Sequence, residues 1–188
     1  LSDTGSGSDT LKMYGAFPGP IQVCAVLGLL GVLLAVPGLL AALRVLRPAT
    51  PRFALCAVAF MVVGYVCYFG ILFGNFLITE LATAGVDAGS ALDAAQGGLS
   101  AVFFLAFAVG NLVGTLLLGI VVVLGGRRVG VPWWAGLLIA GWTVGHVINI
   151  LGGGEWFAVA GGALEVVGLA VVAAAALRLT NAEWVARG

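Results

Sequence analysis

Five long apolar runs divide this chain, and they restrict its fold more than any other feature. Each run approaches or exceeds the ~20 residues that an α-helix needs to cross the hydrocarbon core of a bilayer. Lipid offers the backbone no hydrogen-bond partner, so spanning segments are helices or closed barrels, and unalternating apolar runs indicate helices. The sequence therefore predicts an all-α, polytopic membrane helix bundle with five transmembrane helices, at about residues 20–43, 53–81, 99–124, 132–151 and 155–177.

The composition excludes a soluble domain. The chain is 62% hydrophobic and only 9% charged, with a mean hydropathy of +1.17. A soluble domain carries roughly a quarter charged residues, because its surface must be hydrated. We therefore expect the lipid bilayer to surround the chain, and we expect no nucleic-acid partner.

The basic residues predict the direction in which each helix crosses the membrane. Arginine and lysine near the ends of spans stay cytoplasmic. Only Lys12 falls on the opposite side of the five runs from the arginines, so we expect the N-terminus outside, the C-terminus inside, and a location in the plasma membrane. The predicted parts are a polar extracytoplasmic segment (1–19), a single transmembrane bundle (20–177) and a cytoplasmic tail (178–188). The arginines on the predicted inner side are Arg44, Arg47, Arg52, Arg127, Arg128, Arg178 and Arg187.

A shift of 81 residues aligns residues 38–66 with residues 119–147 at 9 identities in 29 positions. Two interpretations stay open: matches that arise freely in a chain rich in Ala, Leu, Gly and Val, and a parallel duplication of helices 1–2 as helices 3–4, an arrangement found in some transporters. The sequence begins with Leu1, so an upstream signal sequence or helix is a further expectation that stays open.

Three glycine pairs occur within the predicted spans at four-residue spacing: Gly70 with Gly74, Gly110 with Gly114, and Gly141 with Gly145. This spacing places a flat backbone surface on one helix face and lets a neighbouring helix approach closely. The expected role is helix packing within the chain, in a homo-oligomer or against a partner membrane subunit. Room for a ligand is the alternative.

Polar residues inside the spans mark the candidate site, since a charge at the centre of a bilayer costs at least ~2.5 kcal/mol. Glu165 is the acidic residue deepest in a span, and His146 shares a helix face with Trp142 and Asn149. Glu80 and Glu155 lie at the predicted outer surface. Buried hydrogen bonding and a functional role are both open for these groups. The same pattern adds Asn111 in the third span, and Tyr68 and Asn75 in the second.

These polar residues lie mostly in the predicted outer half of the membrane. If their helix faces converge, they form a polar pocket that opens outward and is closed below. The cysteines are isolated, and no phosphate-binding loop or serine elbow occurs, so we expect no cofactor and no metal site.

Part of the chain, residues 92–144, resembles a group of small multispan membrane proteins of high-GC actinobacteria. They share an outer loop of LDA type, a helix with aromatic residues and spaced glycines, a basic turn ending in proline, and a W-A-G start to the next helix. The resemblance implies a membrane bundle without an assigned activity, and it transfers no catalytic residue. The matching residues are Phe103, Phe104, Phe107, Gly110, Gly114, Arg127, Arg128, Pro132, Trp134, Ala135 and Gly136.

Two functions from different classes follow. The first is a non-enzymatic membrane protein that binds a lipophilic small molecule or a partner membrane protein, with Tyr68, Asn75, Asn111, Trp142 and Asn149 as ligand-binding residues. The alternative is a membrane-embedded enzyme that cyclises or isomerises an isoprenoid-like or polyketide-like substrate by acid/base chemistry. In that case Glu165 and His146 are the acid and base, and Glu80 or Glu155 assists at the rim.

Overall fold

The computed structural model describes residues 5–187, without the side chains of residues 96 and 99. Residues 1–4 of the predicted N-terminal segment and Gly188 of the predicted tail lie outside the described residues. The described part of the chain contains eight α-helices and no strand, which confirms the predicted all-α helix bundle. The helices are α1 (Gly7–Ala16), α2 (Pro18–Leu46), α3 (Pro51–Thr83), α4 (Gly89–Gln96), α5 (Leu99–Gly125), α6 (Trp133–Ile148), α7 (Glu155–Leu177) and α8 (Asn181–Ala186).

Five of these helices, α2, α3, α5, α6 and α7, are long and apolar enough to cross a membrane, as predicted. Large apolar side chains on them, such as Leu34, Phe73 and Val166, are more than 60% exposed. Exposed apolar surface of this extent is typical of helices that face lipid tails. Length, composition and exposure indicate a multi-pass membrane protein. The orientation, the domain limits and the duplication stay predictions.

Helix α1 lies inside the predicted polar N-terminal segment, residues 1–19. It begins where the Ser6 side chain accepts a hydrogen bond from the Asp9 backbone N–H at 3.1 Å, which satisfies one of the free donors at the helix start. The Ser6 hydroxyl also donates to the Asp9 carboxylate at 2.7 Å. This hydrogen bond, reinforced by the charge of Lys12, lowers the pKa of Asp9.

The chain contains two compact units: unit 1 (Leu1–Ala35 and Gly64–Ala108) and unit 2 (Val36–Val63 and Val109–Gly188). In unit 1, α1 packs on α4, and the Gly7 backbone N–H donates to Asp93 Oδ1 at 2.6 Å. A Cβ atom on Gly28 of α2 would lie 2.8 Å from Leu72 of α3. Close glycine contacts and the hydrogen bond at the start of α1 are among the interactions that hold the helices of unit 1 together.

In unit 2, glycines let the backbones of α5, α6 and α7 touch. A Cβ atom on Gly136 of α6 would collide with the carbonyl oxygen of Gly119 on α5. On α7, a Cβ atom on Gly168 would lie 2.7 Å from the carbonyl oxygen of Ala135. Only glycine permits backbones to pack at this distance, so these positions fix the separation of the three helices.

A wide helical turn, Asn149–Gly153, ends α6 and reverses the chain into α7. Gly152 and Gly154 both have φ of 93°, a left-handed conformation that side chains other than glycine rarely adopt. The reversal sets α6 and α7 antiparallel, and they pack along their length.

One end of unit 2 carries the seven arginines, and we call it the basic end. Gly125, at the end of α5, packs against Thr50 of the turn between α2 and α3. The Arg44 guanidinium lies 4.8 Å from the ring centre of Trp184 in α8. Arg187 donates to the Val45 carbonyl oxygen at 3.5 Å. The two turns and the C-terminal helix therefore meet at the same end of this unit.

Candidate functional site

Glu165 lies on the buried face of α7, with a side chain only 7% exposed. The same face carries Gly161, Gly168 and Val172. The two glycines flank Glu165 by one helical turn on either side and bring α7 against α6. The Glu165 side chain is therefore held mostly within the contact between these helices.

The carboxyl group of Glu165 also reaches α5. The Thr115 hydroxyl donates to Glu165 Oε1 at 3.5 Å, and Thr115 is 1% exposed. This distance is at the upper limit for a hydrogen bond, so the bond is a weak one. A carboxylate offers about four acceptor positions, and this contact satisfies little of that capacity.

Two more buried polar residues lie close to this contact in unit 2. Thr143 of α6 donates to the Leu112 carbonyl oxygen of α5 at 3.2 Å. Asn111 is 2% exposed and precedes Thr115 by one helical turn. We call Glu165, Thr115, Thr143 and Asn111 the Glu165 cluster. Its members come from α5, α6 and α7, and its interhelical hydrogen bonds link α5 to both other helices.

His146 interacts mainly with its own helix. Its Nδ1 lies 3.2 Å from the Trp142 carbonyl oxygen, and since a carbonyl only accepts, Nδ1 carries the proton and donates. The imidazole ring also stacks on the Trp142 indole, with centroids 3.9 Å apart. Asn149, half-buried, begins the wide turn that follows. The predicted face of Trp142, His146 and Asn149 thus lies at the C-terminal end of α6, next to the turn that leads into α7.

Glu165 and His146 lie at different levels of the α6–α7 pair. Gly168 contacts Ile139 and Gly161 contacts Trp142, so Glu165, between these glycines, is level with the middle of α6. His146 lies one helical turn beyond Trp142, which Gly161 contacts. No hydrogen bond in the described part of the chain joins the two side chains.

The other predicted residues of the second span lie in unit 1. Asn75 Oδ1 accepts a hydrogen bond from the Tyr14 hydroxyl at 2.9 Å. Tyr68 stacks on Phe107 with ring centroids 4.6 Å apart. Exposed Glu80 accepts from Gln22 at 3.2 Å. Each of these three residues has a partner within its own unit.

Glu155 is exposed in the first turn of α7, in unit 2. Tyr68, Asn75 and Glu80 belong to unit 1, whereas Asn111, Trp142, His146, Asn149, Glu155 and Glu165 belong to unit 2. The structure thus brings Glu165 together with the third and fourth predicted spans. The convergence of all the predicted residues on one pocket stays a prediction.

Sequence reasoning missed Tyr14, which lies in α1 and is 5% exposed. Burial raises the pKa of its hydroxyl group, which agrees with a neutral phenol that donates to Asn75. The available signal was Ser6 followed three residues later by Asp9, a pattern that favours a helix start. Thr143 was also missed, because a single threonine in an apolar helix carries no strong signal.

The three predicted glycine pairs differ in their surroundings. Gly114 packs against Met61 of α3, and Gly145 packs against Phe157 of α7. In contrast, a Cβ atom on Gly70 or Gly74 of α3 would meet no other atom within 4 Å. Packing within the chain therefore explains Gly114 and Gly145 of the second and third pairs. Gly70 and Gly74 of the first pair have no such packing among the described residues.

In the described part of the chain, no three His, Cys, Asp or Glu side chains are grouped so as to hold a metal ion. No protein-family model, curated protein or solved structure matches the chain. The class of the protein therefore rests on its helices: they are those of a multi-pass membrane protein in a lipid bilayer.

Proposed function

We propose that this chain binds a lipophilic small molecule within the membrane, and that the Glu165 cluster holds the polar end of that molecule. The observation that carries the proposal is the state of the Glu165 carboxyl group, which is buried among three helices and receives one weak hydrogen bond from Thr115. An ionisable residue inside a span is costly to bury and most often has a function.

Helix packing alone gives a poor account of Glu165. Its neighbours Gly161 and Gly168 already bring α6 and α7 into backbone contact. Replacement of a buried ionisable group by an apolar residue of similar size is often neutral or stabilising, so an apolar side chain would fill this position at lower cost. The presence of a carboxyl group at this position is best explained if the group binds a proton or the polar group of a ligand.

The ligand class follows from the surroundings of the cluster. In the cluster, the two carboxyl oxygens of Glu165 can accept hydrogen bonds from a hydroxyl or amine group, and the protonated carboxyl group can donate one to a carbonyl group. The helices around them are apolar, so the rest of the ligand is lipophilic, such as an isoprenoid or polyketide. We further propose that the ligand enters from the outer half of a bacterial plasma membrane, with the N-terminus of the chain outside.

Native mass spectrometry in mild detergent tests this function. We expect the wild-type chain to carry a lipophilic adduct of defined mass, and the Glu165→Leu variant to lose it while remaining folded. The Val166→Ala variant is the matched control, because Val166 follows Glu165 on the same helix and is 67% exposed. Retention of the same adduct by Glu165→Leu would contradict the proposal.

The enzymatic alternative receives less support from the geometry. Glu165 and His146 lie at different levels, and His146 Nδ1 is occupied by the Trp142 carbonyl. Cyclisation or isomerisation initiated by Glu165 alone stays possible in chemical terms. This alternative predicts that the bound adduct changes its structure on the protein without a change of mass, whereas a binding protein returns it unchanged.

Association through glycine is the second role that we propose, for α3 alone. Gly70 and Gly74 present a backbone surface on which an added Cβ atom would meet none of the described residues within 4 Å. Small residues at this spacing let a helix of a second copy or of a partner subunit approach closely. Loss of an oligomer on Gly74→Leu substitution, measured by native mass spectrometry, would support this role, and an unchanged mass distribution would contradict it.

A further inference from the structure

The basic end of unit 2 contains a shallow depression, and none of its lining residues belongs to the Glu165 cluster. Its volume is about 470 Å³, which lies within the range of small-molecule sites, about 300–1,000 Å³. The depression lies where the chain passes from α5 into α6. Its lining residues are Arg127, Gly130, Val131, Pro132, Trp133 and Trp134.

Local structure explains why the chain forms a hollow at this point. A short helical turn, Gly126–Val129, follows α5 and ends at Gly130, whose φ of 83° reverses the backbone. Val131 is fully buried, and its backbone N–H donates to the Gly126 carbonyl at 2.9 Å. Pro132 then directly precedes Trp133, the first residue of α6, and no side chain caps the helix start. The backbone is thus fixed while the surface beside it stays uncovered.

The depression has the chemistry of an anion site. Arg127 is exposed, and no Asp or Glu among the described residues forms a salt bridge with it. An uncapped helix start adds the partial positive charge of its free N–H groups. Six further arginines lie at the same end of unit 2, whereas the acidic Glu183 is engaged with Thr180. Positive charge is therefore in excess at this end.

The apolar surroundings identify the source of the anion. Trp133 and Trp134 are 40% and 43% exposed, and tryptophan is enriched at the level of lipid headgroups. Leu124 on α5 and Leu137 on α6, each about one helical turn along the chain from a lining residue, are 68% and 52% exposed. These side chains offer a surface to an acyl chain. A free phosphate ion would use Arg127 and none of this apolar surface.

We propose that this depression binds the headgroup of an anionic glycerophospholipid, with Arg127 on the phosphate diester, the two tryptophans beside the glycerol region, and an acyl chain along Leu124 and Leu137. The guanidinium fork suits a phosphate group because it donates two parallel hydrogen bonds. Basic pockets between helices at the cytoplasmic side of membranes bind phospholipid headgroups in this way.

The test compares lipid retention by native mass spectrometry after the purified chain is mixed with phosphatidylglycerol or phosphatidylcholine of the same acyl chains. We expect phosphatidylglycerol to be preferred, and the preference to fall about ten-fold in Arg127→Gln, as for a lost hydrogen bond to a charged group. The matched control is Arg52→Gln, which removes an exposed arginine from the same end but outside the depression. Its preference should stay within about two-fold of wild type.

Three results would overturn the proposal. The first is an equal loss in Arg127→Gln and Arg52→Gln, which would indicate diffuse attraction to the whole basic end. The second is an unchanged preference in Arg127→Gln. The third is displacement of the lipid by millimolar inorganic phosphate, which would identify a phosphate site. A Trp134→Leu variant adds a separate check, since it keeps every charge and should weaken both lipids.

Discussion

Replacement of Glu165 by leucine should stabilise the folded chain while it removes ligand binding. Burial of an ionisable group in a span costs at least ~2.5 kcal/mol on insertion scales. The hydrogen bond from Thr115 returns at most about 1 kcal/mol, because its length of 3.5 Å is at the limit for such a bond. Leucine fills a similar volume without the polar cost.

The expected gain is the difference between these two terms, about 1–2 kcal/mol in favour of the leucine variant. For a chain of this size, that gain corresponds to a rise in Tm of roughly 2–8 °C. Thermal unfolding of the detergent-solubilised protein, followed by circular dichroism at constant detergent and lipid concentration, measures the shift. Bound ligand must be removed first, because a ligand stabilises only the chain that binds it.

The control is Thr143→Val, which keeps the shape of the side chain and removes the interhelical hydrogen bond to the Leu112 carbonyl. This variant should be less stable than wild type by about 1 kcal/mol. A Tm of Glu165→Leu that falls by as much as that of Thr143→Val, or by more, would contradict this prediction. The carboxyl group would then be a structural member of the helix contact.

Three further predictions concern other parts of the chain. Gly145→Ala should destabilise unit 2 by about 1–3 kcal/mol, because its Cβ atom would collide with the Phe157 carbonyl. Gly162→Ala on α7, with open space around it, should leave Tm unchanged or higher, and equal Tm changes would contradict the packing described. Tyr14→Phe should destabilise the α1 contact with Asn75 by about 1 kcal/mol, and faster proteolysis near α1 would report it, whereas an unchanged cleavage rate would count against the contact. Hydrogen bonds from the Thr180 backbone and hydroxyl lower the pKa of Glu183, so their stabilisation of α8 is complete above the usual carboxyl pKa near 4.5 and is lost as the pH falls through the lowered value. Tryptophan fluorescence should follow this loss, and an identical acid titration in Glu183→Gln would exclude the cap as its cause.

Long-range patterns in the sequence were sufficient to predict the five spans. An apolar run of about 20 residues has few structural alternatives, and each predicted run agrees with a long helix to within a few residues. The start of α2 at Pro18 and the end of α3 at Thr83 differ from the expected limits, because hydropathy changes gradually where a helix leaves the membrane.

The candidate site was predictable only in part, because hydropathy gives the depth of a residue but not its neighbours. The depth of Glu165 indicated a special position, and the structure adds its contact with Thr115. That contact depends on glycine packing among α5, α6 and α7, which the sequence indicates only as spacing. Tyr14 illustrates the same limit, since its partner Asn75 lies 61 residues away.

The most direct test of the account is native mass spectrometry of the wild-type chain and Glu165→Leu, purified side by side in the same mild detergent. The account predicts a lipophilic adduct of defined mass on the wild-type protein and none on the variant, with both proteins folded by circular dichroism. An adduct present equally on both, or a wild-type spectrum free of any adduct, would contradict the claim that Glu165 marks a ligand-binding site.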